Sequence, residues 1–349
     1  MIRRLSRIHY FWVALLVLVG LSAPLPYVLV EPGSPNNVLG KVKGKPLLEI
    51  TGAKVYPTNG KLSLTSIWVT SPDSRIQTFE LLRAWIDGER SVEPREVFYP
   101  RGVDPKKVTD ESVSEMKSSQ LTAQLATLNF LKIPFSQRFV IKGFTKDSPN
   151  KNLLKKGDVV VTYAGREIKS GTKLKSMIRN TKTDKVDIGV IRGGKKLIIP
   201  ASVGSKVSVD ATSETSNVKG KFLGLLISDE YDLPFQVKVN LKNVGGPSAG
   251  LIFSLSMIEK LTKEDLVRGR NIAGTGTITP QGKVGPIGGI EEKLIGAARK
   301  GATLFLAPAL NCSEIRHIPK GLQVVPVDTL TEAIAALRER DPERLPICG

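Results

Sequence analysis

From Phe11 to Val30 the chain reads "FWVALLVLVGLSAPLPYVLV" without a charged residue, shortly after Arg3, Arg4 and Arg7. No other stretch limits the fold so strongly, because about 20 apolar residues suffice to carry a helix across a bilayer. A cleaved signal peptide is the rival reading. Its best small-residue site ends at Ala23, and Pro24 directly after it opposes cleavage. The run is therefore expected to be a retained transmembrane helix over residues 8–30. The arginines on the short side put residues 1–7 in the cytoplasm and the body outside, an asymmetry that Lys41, Lys43 and Lys45 reduce. The expected localisation is thus the cell membrane, single-pass, with the N-terminus inside.

The rest of the composition mainly excludes. A net charge of +18 over 349 residues suits a solvated basic surface or one lying near anionic lipid. Nucleic acid is not expected as a partner, since the lysines are scattered, aromatics make up 6%, and no zinc-finger or RNP-type motif appears. Cys312 and Cys348 are too far apart for a C-x-x-C metal site; whether they pair stays open. Gly274-Thr275-Gly276 lacks the third glycine of a dinucleotide fingerprint, and Gly282-Lys283 leads into Val284 rather than the Ser or Thr of a P-loop. With only His9 and His317 available as histidines, neither a metal nor a cofactor is expected.

Several segments have a clear local character. "VEPGSPNNVLG" is turn-rich, "KLSLTSIWVT" alternates like β-strands, and "SSQLTAQLATLNFL" over 118–131 has helical spacing behind a serine. Between Arg138 and Val203 follow a strand "RFVIKGF", a turn "DSPNKNLLKKGD" and a strand "VVVTYAG". An amphipathic helix "SGTKLKSMIRN" and a hairpin around Gly193-Gly194 complete the series. With Ser148-Pro149, "LLKKGDVVV" and "RGGKK", this order resembles a PDZ domain of the bacterial type. The resemblance implies binding of an extended peptide by addition to a sheet edge beside the helix. In the last third, strands alternate with helices, as in an α/β or α+β domain.

That last third contains "NVGGPSAGLIFSL", residues 243–255, with Ser248 between glycines ahead of an apolar run. Gly246, Ser248 and Gly250 spell G-x-S-x-G, and three readings compete. Ser248 caps a helix, or it is a nucleophile with a histidine base, or a nucleophile with another base. His317, with Asp265 or Glu314, would have to complete a histidine triad. A lysine base must lose its proton, which burial in an apolar site promotes. Lys293 begins a helix after the bend "GPIGGIEE" and is followed by Leu294 and Ile295; by composition alone it reads as an ordinary helix lysine. A cap would explain the serine but not the lysine.

"GPSAG" followed 45 positions later by Lys293, within "GTGTITPQGKVGPIGGIEEKLIGAARKGA", closely resembles the proteolytic domain of Lon proteases over about residues 221–335. The resemblance implies a Ser-Lys dyad. Ser248 is then the nucleophile, Lys293 the general base and Thr275 a hydrogen-bond partner of the lysine, with Gly246, Pro247 and Gly250 as supporting residues. Two positions depart from the energy-dependent members: Gly245 and Thr277 stand where those enzymes commonly carry acidic residues. No ATPase module accompanies the motif, so cleavage is expected to be ATP-independent.

The expected fold is an α+β multidomain chain. It comprises a cytoplasmic N-terminus (1–7), a transmembrane anchor (8–30) and a β-rich extracytoplasmic segment (31–117). A PDZ-like domain with a leading helix (118–205), a Lon-type α/β proteolytic domain (206–340) and a tail (341–349) complete it. The expected function is that of a membrane-anchored serine endopeptidase with an extracytoplasmic catalytic body. Its partners are protein or peptide substrates, the membrane and further copies in a homo-oligomer. A catalytically silent membrane scaffold that binds peptide tails is the alternative.

Overall fold

The computed structural model describes residues 7–204, 221–241 and 244–348. Arg3 and Arg4 of the expected cytoplasmic N-terminus, the expected boundary at 205–206, and Asn243 and Gly349 lie outside the described residues.

Helix α1, Arg7–Ser22, covers only the first half of the apolar run. At 1.5 Å per residue its 16 residues reach about 24 Å, short of a hydrocarbon core of about 30 Å. Among the described residues, no helix is long and apolar enough to cross a membrane. The expected transmembrane helix over 8–30 is thereby corrected, and with it the single-pass localisation and the extracytoplasmic body. The physical reason lies in Pro24 and Pro26, which carry no N–H and cannot continue a helix. Beyond them the run becomes strand β1, Tyr27–Pro32, which pairs antiparallel with Ser91–Pro94 on one side and Ile67–Val69 on the other. Val28, Leu29 and Val30 are buried there, in protein. On α1, Phe11, Trp12 and Leu16 are exposed.

The chain folds as two compact units, one built from the residues up to Pro134 together with those from Phe235 onward, the other from Phe135–Pro234. The first unit continues with β2, Asn36–Asn37, β3, Lys61–Leu64, and the long helix α2, Pro105–Phe130. Asp104 caps α2 by accepting from Lys106 N, and Pro105 occupies a first-turn position where a missing N–H costs nothing. This start signal lies 13 positions ahead of the helix expected from apolar spacing at 118, because residues 106–115 are mostly exposed and show no apolar stripe.

Among its described residues, the second unit is an antiparallel sheet with one helix. Its elements are β4, Ser136–Phe144, β5, Val159–Tyr163, α3, Gly171–Arg179, β6, Lys185–Arg192, β7, Lys195–Ser202, and β8, Leu225–Asp232. The strand order is β7-β6-β5-β4-β8, with the short strand Arg166–Glu167 beside β5. Phe139, Ile141, Leu154, Ile188 and Val190 form its core with Leu174 of α3. Ser170 caps α3 through Lys173 N.

Back in the first unit come α4, Gly250–Leu261, β9, Asn271–Gly274, α5, Ile290–Arg299, β10, Leu304–Pro308, β11, Gln323–Val327, and α6, Leu330–Arg338. The sheet order is β11-β10-β9-β3-β2, parallel from β11 to β3. A parallel sheet is buried on both faces, and alternate residues therefore feed two cores. Ile272, Leu304, Leu306 and Val325 join α2, α4 and α6 on one face. Ala273, Phe305, Ala307 and Val324 join Ile290, Leu294 and Ala297 of α5 on the other. Cys312 and Cys348 form a disulfide that ties the tail to the segment after β10.

Candidate active site

The site is built where β9 ends. Thr275 and Gly276 follow directly on that strand, and the carboxyl ends of parallel strands are where open α/β sheets present their chemistry. Gly276 N donates to Ser248 O at 2.7 Å, and Gly276 O accepts from Leu251 N at 3.0 Å. The end of the strand thus fastens the first turn of α4 and satisfies one of its orphan donors. A side chain at Gly276 would meet Val284 Cγ1 at 3.0 Å and Leu251 Cβ at 3.2 Å.

Ser248 sits two residues ahead of α4. The N-cap is Ala249, which makes no side-chain cap hydrogen bond, so the helix-cap reading of Ser248 does not hold. Gly246 turns the chain into the serine with φ +81°, a conformation that favours glycine. Pro247 is exposed and Ser248 half-buried, so the hydroxyl is borne on an accessible turn. Gly250 is buried where a Cβ would stand 2.8 Å from Ile278 Cγ2.

Lys293 lies in the first turn of α5 and is 3% exposed. Burial drives its pKa down to about 8, against the pull of the Glu292 carboxylate, which favours the charged form. Its Nζ donates to Thr275 Oγ1 at 3.3 Å. That hydroxyl, itself buried, donates to Ser248 O at 3.1 Å. Thr275 therefore links the amine to the backbone of the serine. Gly246, Pro247, Ser248 and Gly250 form the turn into α4, and Thr275 touches both the backbone of that turn and the lysine; among the described residues no hydrogen bond joins Ser248 Oγ to Lys293 Nζ.

The histidine triad does not assemble. His317 is exposed, Glu314 Oε2 accepts from Asn311 Nδ2 at 2.9 Å, and Asp265 Oδ1 accepts from Arg268 N at 2.6 Å. Among the described residues, no His/Cys/Asp/Glu group could hold a metal ion.

Three features escape sequence reasoning. Strand β1 packs against α5, and just past its end a Cβ on Gly296 would stand 2.4 Å from Gly33 O. Asn311, fully buried, holds the backbone of Ile287 in the bend that leads to Lys293. On α2, Ser112 and Ser119 reach the turn before Ser248; their only trace in the sequence is a seven-residue spacing around buried Met116.

Residues 185–339 match the Lon protease C-terminal proteolytic domain. The chain is 32% identical over 165 residues to Lon protease of Buchnera aphidicola subsp. Schizaphis graminum, covering 45% of this chain and 21% of that protein. It is also 32% identical over 142 residues to Lon protease 1 of Bacillus subtilis, covering 40% and 18% respectively. The chain thus spans about a fifth of the length of these relatives. Among solved structures, the PDZ domain of the SdrC-like protein from Listeria innocua is similar at 19% identity with a TM-score of 0.22, covering 26% of this chain and 92% of that one. By its match to the Lon proteolytic domain, the chain carries a serine-type peptidase.

Proposed function

We propose that this chain is an endopeptidase in which Ser248 attacks and Lys293 is the general base, working without ATP on protein or peptide substrates. The observation that supports it most is the buried amine of Lys293, near pKa 8 and joined through Thr275 to the backbone of Ser248. Neutral Nζ takes the proton of Ser248 Oγ as the oxygen bonds to the scissile carbonyl carbon. Backbone N–H groups at the start of α4 face the oxyanion that forms. Collapse breaks the C–N bond, and the lysine ammonium gives its proton to the leaving amine. Water, deprotonated by the same amine, then releases the acyl group. None of these steps consumes a nucleotide.

In the second unit, β8 is the edge strand beside α3. Leu174, Ile178, Leu223, Leu225 and Ile227 line a cleft between them, with Lys175 and Arg179 at its rim. An extended peptide added to β8 would lay alternate side chains into this cleft, so the unit selects or gates substrates. The homo-oligomer implied by the Lon resemblance belongs to the same reading and is measured by sedimentation. The decisive experiment incubates an unfolded protein with the full chain, with and without ATP. Nucleotide-independent cleavage lost in Ser248→Ala supports the proposal; undiminished cleavage by Ser248→Ala refutes it.

A further inference from the structure

Helix α2 lies outside the residues that match the Lon domain, yet it grips the turn that carries Ser248. Ser112 O accepts from Gly246 N at 2.9 Å, and Ser119 Oγ donates to Pro247 O at 3.0 Å. Seven residues are close to two helical turns, so both groups lie on one face of α2. The contact leaves no slack. A Cβ on Gly245 would fall 2.1 Å from Ser112 Oγ, and one on Gly250 would fall 3.1 Å from Ser119 Oγ. One turn further on, the helices are tied again, since Ser254 Oγ donates to Ala123 O at 3.2 Å.

The consequence follows from the planarity of the peptide bond. In a trans peptide the carbonyl and the next N–H point in opposite directions. Fixing Pro247 O against α2 therefore aims Ser248 N–H away from α2. On the other side, Gly276 N and Thr275 Oγ1 hold Ser248 O, which fixes the direction of Ala249 N–H in the same way. Two successive amides ahead of α4 are thus aimed by partners in two different elements, and such amides stabilise an oxyanion only when already in place.

We infer that Ser119 is a positioning residue for the oxyanion-binding amide of Ser248, an inference that rests on Ser248 being the nucleophile. Its loss lets the Pro247–Ser248 peptide plane rotate without removing any group that touches substrate. The transition state then suffers more than the ground state, so kcat falls while KM holds.

The test uses the full chain, a short peptide amide as substrate and a peptide aldehyde that adds to the serine as a tetrahedral hemiacetal. Ser119→Ala removes the donor; Ser119→Cys keeps the volume with a weak donor and guards against misfolding. Losing one oxyanion donor outright costs about 100-fold or more in kcat, so misaiming one is expected to cost about tenfold or more. KM should stay within about twofold, and aldehyde binding should weaken in step with kcat/KM. Exposed Ser118→Ala should change neither value. Wild-type kcat in Ser119→Ala overturns the inference, as does a loss of kcat with undiminished aldehyde binding. A fluorophosphonate probe separates the two layers. Failure to label Ser248 in the wild-type chain overturns the nucleophile assignment and this role together. Labelled Ser248 with unaffected kcat in both Ser119 variants removes the positioning role alone.

Discussion

Asn311 brackets the backbone of Ile287: its Oδ1 accepts from Ile287 N at 3.0 Å and its Nδ2 donates to Ile287 O at 2.9 Å. Three residues after Ile287, α5 begins, and it carries Lys293. A buried side-chain amide thereby stands in for a neighbouring strand and sets where the lysine helix starts. Asn311→Ala would leave both backbone groups unpaired in a buried setting, at about 1–3 kcal/mol each way the loss is measured. A fall in the urea midpoint and a lower kcat are expected together. Asn311→Asp should not rescue either, because it cannot donate to Ile287 O and would face Glu314, now the acceptor of Asn311 Nδ2.

Turnover should rise with pH along a limb centred near 8, as Lys293 loses its proton. Glu292→Gln removes the charge that opposes the shift, so the midpoint should move to lower pH. Lys293→Arg keeps a charge that cannot be lost and should abolish turnover as fully as Ser248→Ala. Thr275→Ala should only weaken activity, and His317→Ala should leave it intact. A pH–rate profile of each variant on one peptide reads all of these outcomes, and normal rates in Lys293→Arg would remove the lysine from the mechanism.

The same burial costs stability. The folded lysine releases its proton near 8, against 10.5 when exposed, so the folded state binds fewer protons between those values. Stability is therefore gained as pH rises through that window and is missing below it. Lys293→Met should be inactive yet more stable at pH 7, by on the order of 2–3 kcal/mol. Urea unfolding of the two proteins at pH 7 checks the sign.

Glu259, near the end of α4 and 2% exposed, shows the opposite dependence. Burial, with the nearby Asp265 charge, lifts its pKa to about 7, although its Oε2 accepts from Leu266 N at 2.9 Å. The folded state then holds a proton between about 4.5 and 7 that the unfolded chain has released. Stability should decline with rising pH across that window and level off above 7. Glu259→Gln can still accept from Leu266 N, and it should flatten that part of the curve. Thermal midpoints between pH 4.5 and 7.5 provide the comparison.

Reduction of the Cys312–Cys348 bond, or Cys312→Ser, should release the tail from the segment after β10. For a loop of this separation, 36 residues, the chain-entropy contribution is about 3–4 kcal/mol. A lower thermal midpoint under reducing conditions is expected, absent in the Cys312→Ser variant, which should already start low.

Chemistry was legible in the sequence where it depends on residue type at a fixed spacing. Residue types alone left a helix cap, a histidine base and another base open for Ser248, and it is the resemblance of "GPSAG" and the segment around Lys293 to the Lon proteolytic domain that implies a lysine. The strand and helix order of residues 138–203 was likewise readable, because each period is local. What lay beyond reach depended on partners distant in the chain. Hydropathy records that residues 11–30 avoid water but not what receives them. Two prolines split the run, and only the pairing of Tyr27–Pro32 with Ile67–Val69 and Ser91–Pro94 decided that Val28, Leu29 and Val30 lie inside protein. The same limit applies to Ser119 and Asn311, unremarkable polar residues along the chain. They matter because folding brings them to carbonyls 128 and 24 positions away in the sequence. A lysine acquires a pKa near 8 for that reason too: its residue type supplies the amine, and only the packing around it removes the water.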